Sequence, residues 1–172
     1  MRPDSSDSAL LACAREARVL AEQYESVSFE SVHAPWMELL PKTPAQVLDI
    51  GAGSGRDAAW LAQEGYTVTA VEPVAEMRAQ AQFLHAGATV HWRDDRLPGL
   101  NATRALGQEF ELVLLSAVWM HLAPVDRPEA LSNLAALMAP GALLMITLRH
   151  GPSPPAWTRL CSDRHSMSAT GC

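Results

Sequence analysis

Five short apolar runs, each tied to a stretch of helical period, constrain this chain more than any other feature. Val47-Leu48-Asp49-Ile50 leads into Gly51-Ala52-Gly53-Ser54-Gly55 and then a helical segment, RDAAWLAQE, closed by Gly65. Thr67 to Glu72 reads as a second strand, and Pro73 opens a turn into a helix over Ala75 to Leu84. Gly87 ends that unit before a third strand, Ala88 to Trp92. A short helix near Asn101 to Leu106 precedes the fourth strand, Phe110 to Ser116. A helix over Pro128 to Met138 stops at Pro140-Gly141, and Ala142 to Leu148 makes the fifth strand. Crossovers between parallel strands are right-handed, so this alternation predicts an α/β fold: a doubly wound, mainly parallel sheet with helices on both faces. Runs such as LVLL and LLMI are continuously apolar, as strands covered on both faces require.

Ahead of the sheet, residues 8 to 23 form an amphipathic helix with Ser8 as its N-cap, and a second helix near Phe29 to Leu40 stops at Pro41. Both read as packing, and His33 within them as a surface residue. The organisation expected is a helical cover over residues 1–43, a core over 44–150 and an irregular tail over 151–172. The tail is rich in Pro, Ser, Thr and Gly and has no period, which suits a disordered end.

Composition removes several partners. The chain has 172 residues, with 19 acids against 13 bases and a net charge of -6, so no nucleic acid is expected to bind through a basic surface. Leu112 to Met120 is far shorter than the roughly 20 apolar residues that span a bilayer, and the N-terminus is a poor export signal. Cys13, Cys161 and Cys172 have no metal-ligand spacing and cannot all pair, so no metal and a cytoplasmic setting are expected.

Ligands of open parallel sheets bind beyond the carboxyl ends of the strands. The glycine cluster after the first strand is GxGxG, one residue tighter than the dinucleotide pattern GxGxxG. Asp49 lies inside that strand, where a carboxylate is costly without a partner. Glu72 ends the second strand, where an acid can accept both hydroxyls of a ribose, and Asp94 and Asp95 follow the third, where one can accept from an adenine amino group. Arg56 stands at a helix N-terminus against the macrodipole, either as partner of a ligand carboxylate or balanced by Asp57.

On these residues the sequence resembles the class I S-adenosylmethionine-dependent methyltransferases. VLDIGAGSGRDAAWLA is similar to their first motif, TVTAVEP to the second and HWRDDRLP to the third; FELVLLSAVWMHL and LMAPGALLMITL are similar to the fourth and fifth. The resemblance covers about residues 20 to 150 and implies a Rossmann-like core that binds S-adenosyl-L-methionine and releases S-adenosyl-L-homocysteine. It implies that Gly51, Ala52, Gly53 and Gly55 approach the methionine part, that Asp49 holds its amino end, and that Glu72 with Pro73 takes the ribose. Asp94 and Asp95 would reach the adenine, and Ser116 and Tyr24 would also contact the cofactor.

The segment after the fourth strand, SAVWMHL, lacks the Asn/Asp-Pro-Pro-aromatic motif of amino-group enzymes and the Pro-Cys of cytosine-ring enzymes. A small-molecule acceptor is therefore expected. His121 is the candidate base of that segment, with a structural histidine as the alternative. The family core has seven strands, whereas the alternation here stops at five, as a truncated or frame-shifted end would give. The fifth strand is then an apolar edge for a second copy or the tail to cover, with a homodimer as one outcome. Two other functions stay open: a cofactor-binding module without turnover, and an NAD-type oxidoreductase sharing the glycine loop and Glu72.

Overall fold

Strand β1 (Gln46–Ile50) is central to the sheet, and Val47 to Ile50 are all buried. The computed structural model describes residues 5–148, and the side chains of residues 14–148; the 151–172 tail lies outside the described residues. Four further strands join β1: β2 (Thr67–Val71), β3 (Val90–Arg93), β4 (Phe110–Ser116) and β5 (Met138–Thr147). The order is β3-β2-β1-β4-β5 and every pairing is parallel. The order reverses between β1 and its neighbours β2 and β4, so a crevice opens beyond their carboxyl ends.

Period-two alternation sorts the β1 side chains onto the two faces. Val47 packs with Val68, Leu112 and Leu114 on one side; Leu48 and Ile50 pack with Val71, Val113 and Leu115 on the other. Helix α3 (Arg56–Gln63) covers the first face with Ala58 and Leu61, and α6 (Arg127–Leu137) covers the second with Leu134 and Leu137. Helix α4 (Ala75–Leu84) agrees with the sequence reading, as does β4, whereas α5 is shortened to Asn101–Arg104.

Other boundaries also differ from expectation. Helix α1 spans Ser5–Glu25, so Ser8 lies within it instead of capping it. The second N-terminal helix divides into α2 (Phe29–His33) and a 3-10 turn (Ala34–Leu39), with Pro35 in the first turn of the latter. Strand β5 starts at Met138 instead of Ala142, pairing Met138 with Phe110 before a register shift around Gly141 (φ 80°).

The cover is attached at two places. Helix α1 packs Ala17 and Leu20 on Val74 and Met77 of the α4 turn. Phe29 of α2 stacks on Trp60 of α3, with ring centroids 4.0 Å apart and planes 9° from parallel. His33 is fully buried between Phe29 and Trp36, contrary to the surface reading, because its partner Asp57 lies 24 residues away and no local pattern reveals it. At the opposite end of the sheet, no residue of β5 is fully buried, whereas five of the seven β4 residues are.

Candidate functional site

The chain leaves β1 through a left-handed bend. Gly51 (φ 72°) and Ala52 both donate their N–H to the Val71 carbonyl, at 2.8 and 3.0 Å, which folds the loop against the end of β2. A Cβ at Gly51 would collide with the Val118 side chain, so the glycine lets the loop after β4 close on this bend. Gly55 (φ 81°) occupies the N-cap of α3; a Cβ there would lie 3.0 Å from Ala81 and 3.1 Å from Trp92. The Tyr24 ring, at the end of α1, comes within 3.4 Å of the Cβ position at Gly53.

Glu72 braces this loop. Its Oε2 accepts the Gly53 N–H at 3.0 Å and its Oε1 accepts the Val74 N–H at 2.9 Å, so one buried carboxylate joins the turns after β1 and β2. Two accepted bonds leave acceptor capacity on a group with about four lone-pair sites. Burial raises the Glu72 pKa, the two N–H donors and Arg78 oppose the rise, and Asp94 adds to it.

Asp49 is 1% exposed, and its Oδ2 has no hydrogen-bond partner among the described residues. Burial pushes its pKa well above the usual carboxylate value; Asp57 adds to that, Arg56 opposes it and Glu72 adds again. An orphaned buried carboxylate among other acids, beside bare main chain, suits a cationic ligand and not a phosphate.

Asp94 and Asp95 separate in role. Asp94 is exposed and pairs with Arg78, whose guanidinium also donates to the Glu72 carbonyl. Arg78, six residues past Glu72, thus ties the ends of β2 and β3 together; no sequence motif marked it. Asp95 is tied to the chain that follows it. Its Oδ1 accepts the Arg96 N–H, and its Oδ2 accepts both N–H and Oγ1–H of Thr103. Leu100, at the N-cap of α5, offers no side-chain acceptor, and Asp95 satisfies the helix start in its place. A cavity of 390 Å³ opens here, lined by Pro73, Asp94, Asp95, Leu97, Pro98 and Asn101. The glycine loop, Asp49 and Tyr24 do not line it; they form the other end of the crevice, joined to it through Glu72 and Pro73.

Ser116 ends β4, half-buried, and the next residue, Ala117 (φ 56°), donates its N–H to the Thr147 carbonyl and hydroxyl. A 3-10 turn, Trp119–His121, follows, with the Arg127 guanidinium 5.9 Å from the Trp119 ring centroid. His121 is exposed on this turn, three residues after the Val118 side chain that lies against Gly51. Arg56 is neither fully solvated nor balanced by Asp57 alone: its Nε donates to Asp57 at 2.7 Å and its Nη1 to the Tyr24 carbonyl at 3.1 Å.

A family model described as a methyltransferase domain matches residues 21–167. The chain is 34% identical over 106 residues to a ubiquinone biosynthesis O-methyltransferase of Methylobacterium nodulans, covering 60% of this chain and 41% of that protein. It is 32% identical over 115 residues to an uncharacterised methyltransferase of Mycobacterium bovis, covering 67% and 56%. The chain thus spans about half the length of the curated relatives it matches. A TehB-like methyltransferase structure from Corynebacterium glutamicum superposes with a TM-score of 0.61 at 17% identity, over 87% of this chain and 82% of that one. A DhpI complex with S-adenosylhomocysteine superposes at 0.58 with 20% identity, over 80% and 68%. At these identities the likeness concerns the fold.

The raised Asp49 pKa carries a stability prediction. The folded chain holds this proton more tightly than the unfolded one, so the Asp49 contribution to stability falls as pH rises above 3.8 through the raised folded value. Asp49→Asn removes that slope and makes the ligand-free protein more stable at pH 8 than the parent. Urea unfolding of both chains from pH 4 to pH 8 measures it; parallel stability profiles would contradict it.

Proposed function

The chain belongs to the methyltransferase-domain family, and we propose that it transfers the methyl group of S-adenosyl-L-methionine to the O, N or S atom of a small molecule by in-line displacement. The observation that carries this reading is the buried Asp49 carboxyl beside the glycine bend, whose Oδ2 has no partner among the described residues, together with Glu72 and the 390 Å³ cavity. The residues present fit that cofactor. Asp49 and the Gly51–Gly55 main chain would hold its cationic amino-acid end, with Tyr24 closing from the cover. Glu72, whose carboxylate the loop already orients, would accept the ribose hydroxyls. Asp94 and the cavity walls Pro73 and Leu97 would take the adenine.

When bound, S-adenosylmethionine supplies a methyl group already activated by its sulfonium. The protein's share is alignment and exclusion of water, and alignment can supply roughly 7–11 kcal/mol of a barrier. Ser116 and the loop over Gly51, with Val118 and Trp119 as apolar wall, would present the acceptor along the methyl axis. His121, on the same turn, would take the acceptor's proton where the acceptor must lose one. The names of the curated relatives include O-methyltransferases, which favours an oxygen acceptor. A cytoplasmic setting and the 44–150 core remain part of this proposal. So does a homodimer in which β5 edges pair; its support is that no β5 residue is fully buried.

The cofactor reading predicts that S-adenosylhomocysteine at 100 times its dissociation constant stabilises the protein by about 2.7 kcal/mol, a rise in Tm of roughly 5–10 °C. NADH should give no shift, and Glu72→Ala should lose most of the shift; a response to NADH alone would overturn the cofactor. Labelled methyl transfer into a metabolite pool tests turnover, and His121→Ala should slow it by about 10²-fold or more with the thermal shift intact. A chain that binds the cofactor but transfers nothing would be a binding module. Sedimentation should give twice 18.6 kDa for the dimer; a monomer at every concentration would remove the edge pairing.

A further inference from the structure

The mechanism above leaves one buried polar network unused. Asp57, in the first turn of α3, accepts His33 Nε2–H at 2.8 Å on Oδ2 and Arg56 Nε–H at 2.7 Å on Oδ1. Arg56 in turn donates from Nη1 to the carbonyl of Tyr24. The His33 side chain is fully buried and that of Asp57 is 6% exposed. Phe29 and Trp36 pack on the imidazole, with ring centroids 4.4 and 4.3 Å away. The contact between His33 and Asp57 is therefore dry, and a dry hydrogen bond to a carboxylate is strong and geometrically exact only while both partners stay. Burial pushes the Asp57 pKa up, but the bonds from His33 and Arg56 outweigh it and hold it below the usual aspartate value.

The connectivity is specific. His33 belongs to the cover and Asp57 to the helix that the glycine loop starts, so the pair joins these two parts. Arg56 then joins that helix to the last turn of α1, which carries the Tyr24 ring to within 3.4 Å of the Cβ position at Gly53. One planar guanidinium, using two of its five N–H groups for these bonds, is thereby fixed at the end of the crevice where Asp49 lies.

We propose that His33 and Asp57 are positioning residues that fix Arg56 and Tyr24 over the glycine loop, and that Arg56 so held receives the carboxylate of the cofactor's amino-acid end. Asp49 and Arg56 then divide the zwitterion between them, one taking its cationic side and the other its anionic side. Both charges of Arg56 and Asp57 are kept for this purpose in a site where an unpaired charge is expensive. The inference rests on the cofactor reading above and deepens it.

Two ligands separate the possibilities. S-Adenosylhomocysteine carries the amino-acid end, and 5′-methylthioadenosine has the same nucleoside without it. In calorimetric titrations, Asp57→Asn and His33→Gln should each weaken S-adenosylhomocysteine by about tenfold or more and leave 5′-methylthioadenosine within about twofold. Arg56→Gln should do the same, with Arg56→Lys recovering part of the affinity. The ratio of the two dissociation constants is the readout, because a cover that merely loosened the fold would weaken both ligands together. Equal weakening of both ligands, or unchanged S-adenosylhomocysteine binding in all three variants, would overturn the positioning role. A parent chain that binds neither compound would overturn the cofactor reading and this inference with it. Should Asp57→Asn fail to fold, His33→Gln and Arg56→Gln read the same contrast.

Discussion

One carboxylate, that of Glu72, holds the functional end of the sheet in shape. It is buried, and its two oxygens accept main-chain N–H groups from the turns that follow β1 and β2. That bridge adds to the bonds from Gly51 and Ala52 to the Val71 carbonyl at the end of β2, and it extends the tie from the bend to Gly53 and to Val74 beyond Pro73. The same acid is raised in pKa by burial, as is Asp49 beside it. The site is therefore a place where the fold makes negative charge costly until a positive partner arrives. Such a site favours a ligand carrying positive charge and gives no welcome to a phosphate.

Much of this was legible in the chain itself. Strands β1, β2 and β4 are short, mainly apolar runs that alternate with helical segments, so their existence and parallel arrangement follow from pattern alone. The placement of Asp49 and Glu72 at strand ends followed from the same reading. The misses share one physical cause, which is dependence on residues far along the chain. His33 reads as surface because its neighbours are mixed, yet Asp57 and the rings of Phe29 and Trp36 bury it. The bond from Thr103 to Asp95 also gave no local sign, because it depends on Leu100 at the α5 start being unable to cap. Arg78 gave no local sign of reaching both Glu72 and Asp94. The early start of β5 depends on Phe110 across the sheet, while proline and glycine at 140 and 141 argued locally for a break.

Function in this architecture lives in the loops, and the loops here are unequally specified. Those after β1, β2 and β3 are tied by Glu72, Asp95 and Arg78 through named hydrogen bonds. The loop after β4 is held by Ala117 on Thr147 and by Arg127, with apolar and half-exposed walls. A common donor end and a plastic acceptor end agree with a family model that fixes the domain, and with relatives whose names place them on different acceptors. The chain covers about half of those relatives, and acceptor choice in full-length proteins can draw on the remainder.

Burial raises the Asp49 pKa in the ligand-free protein, and a cationic ligand end that pairs with this carboxyl lowers it again. The direct measurement is the Asp49 carboxyl chemical shift in a carbon-13-labelled protein, followed against pH with and without S-adenosylhomocysteine. Pairing requires a raised pKa in the free protein that falls sharply in the complex. A value that is the same in both states would contradict it.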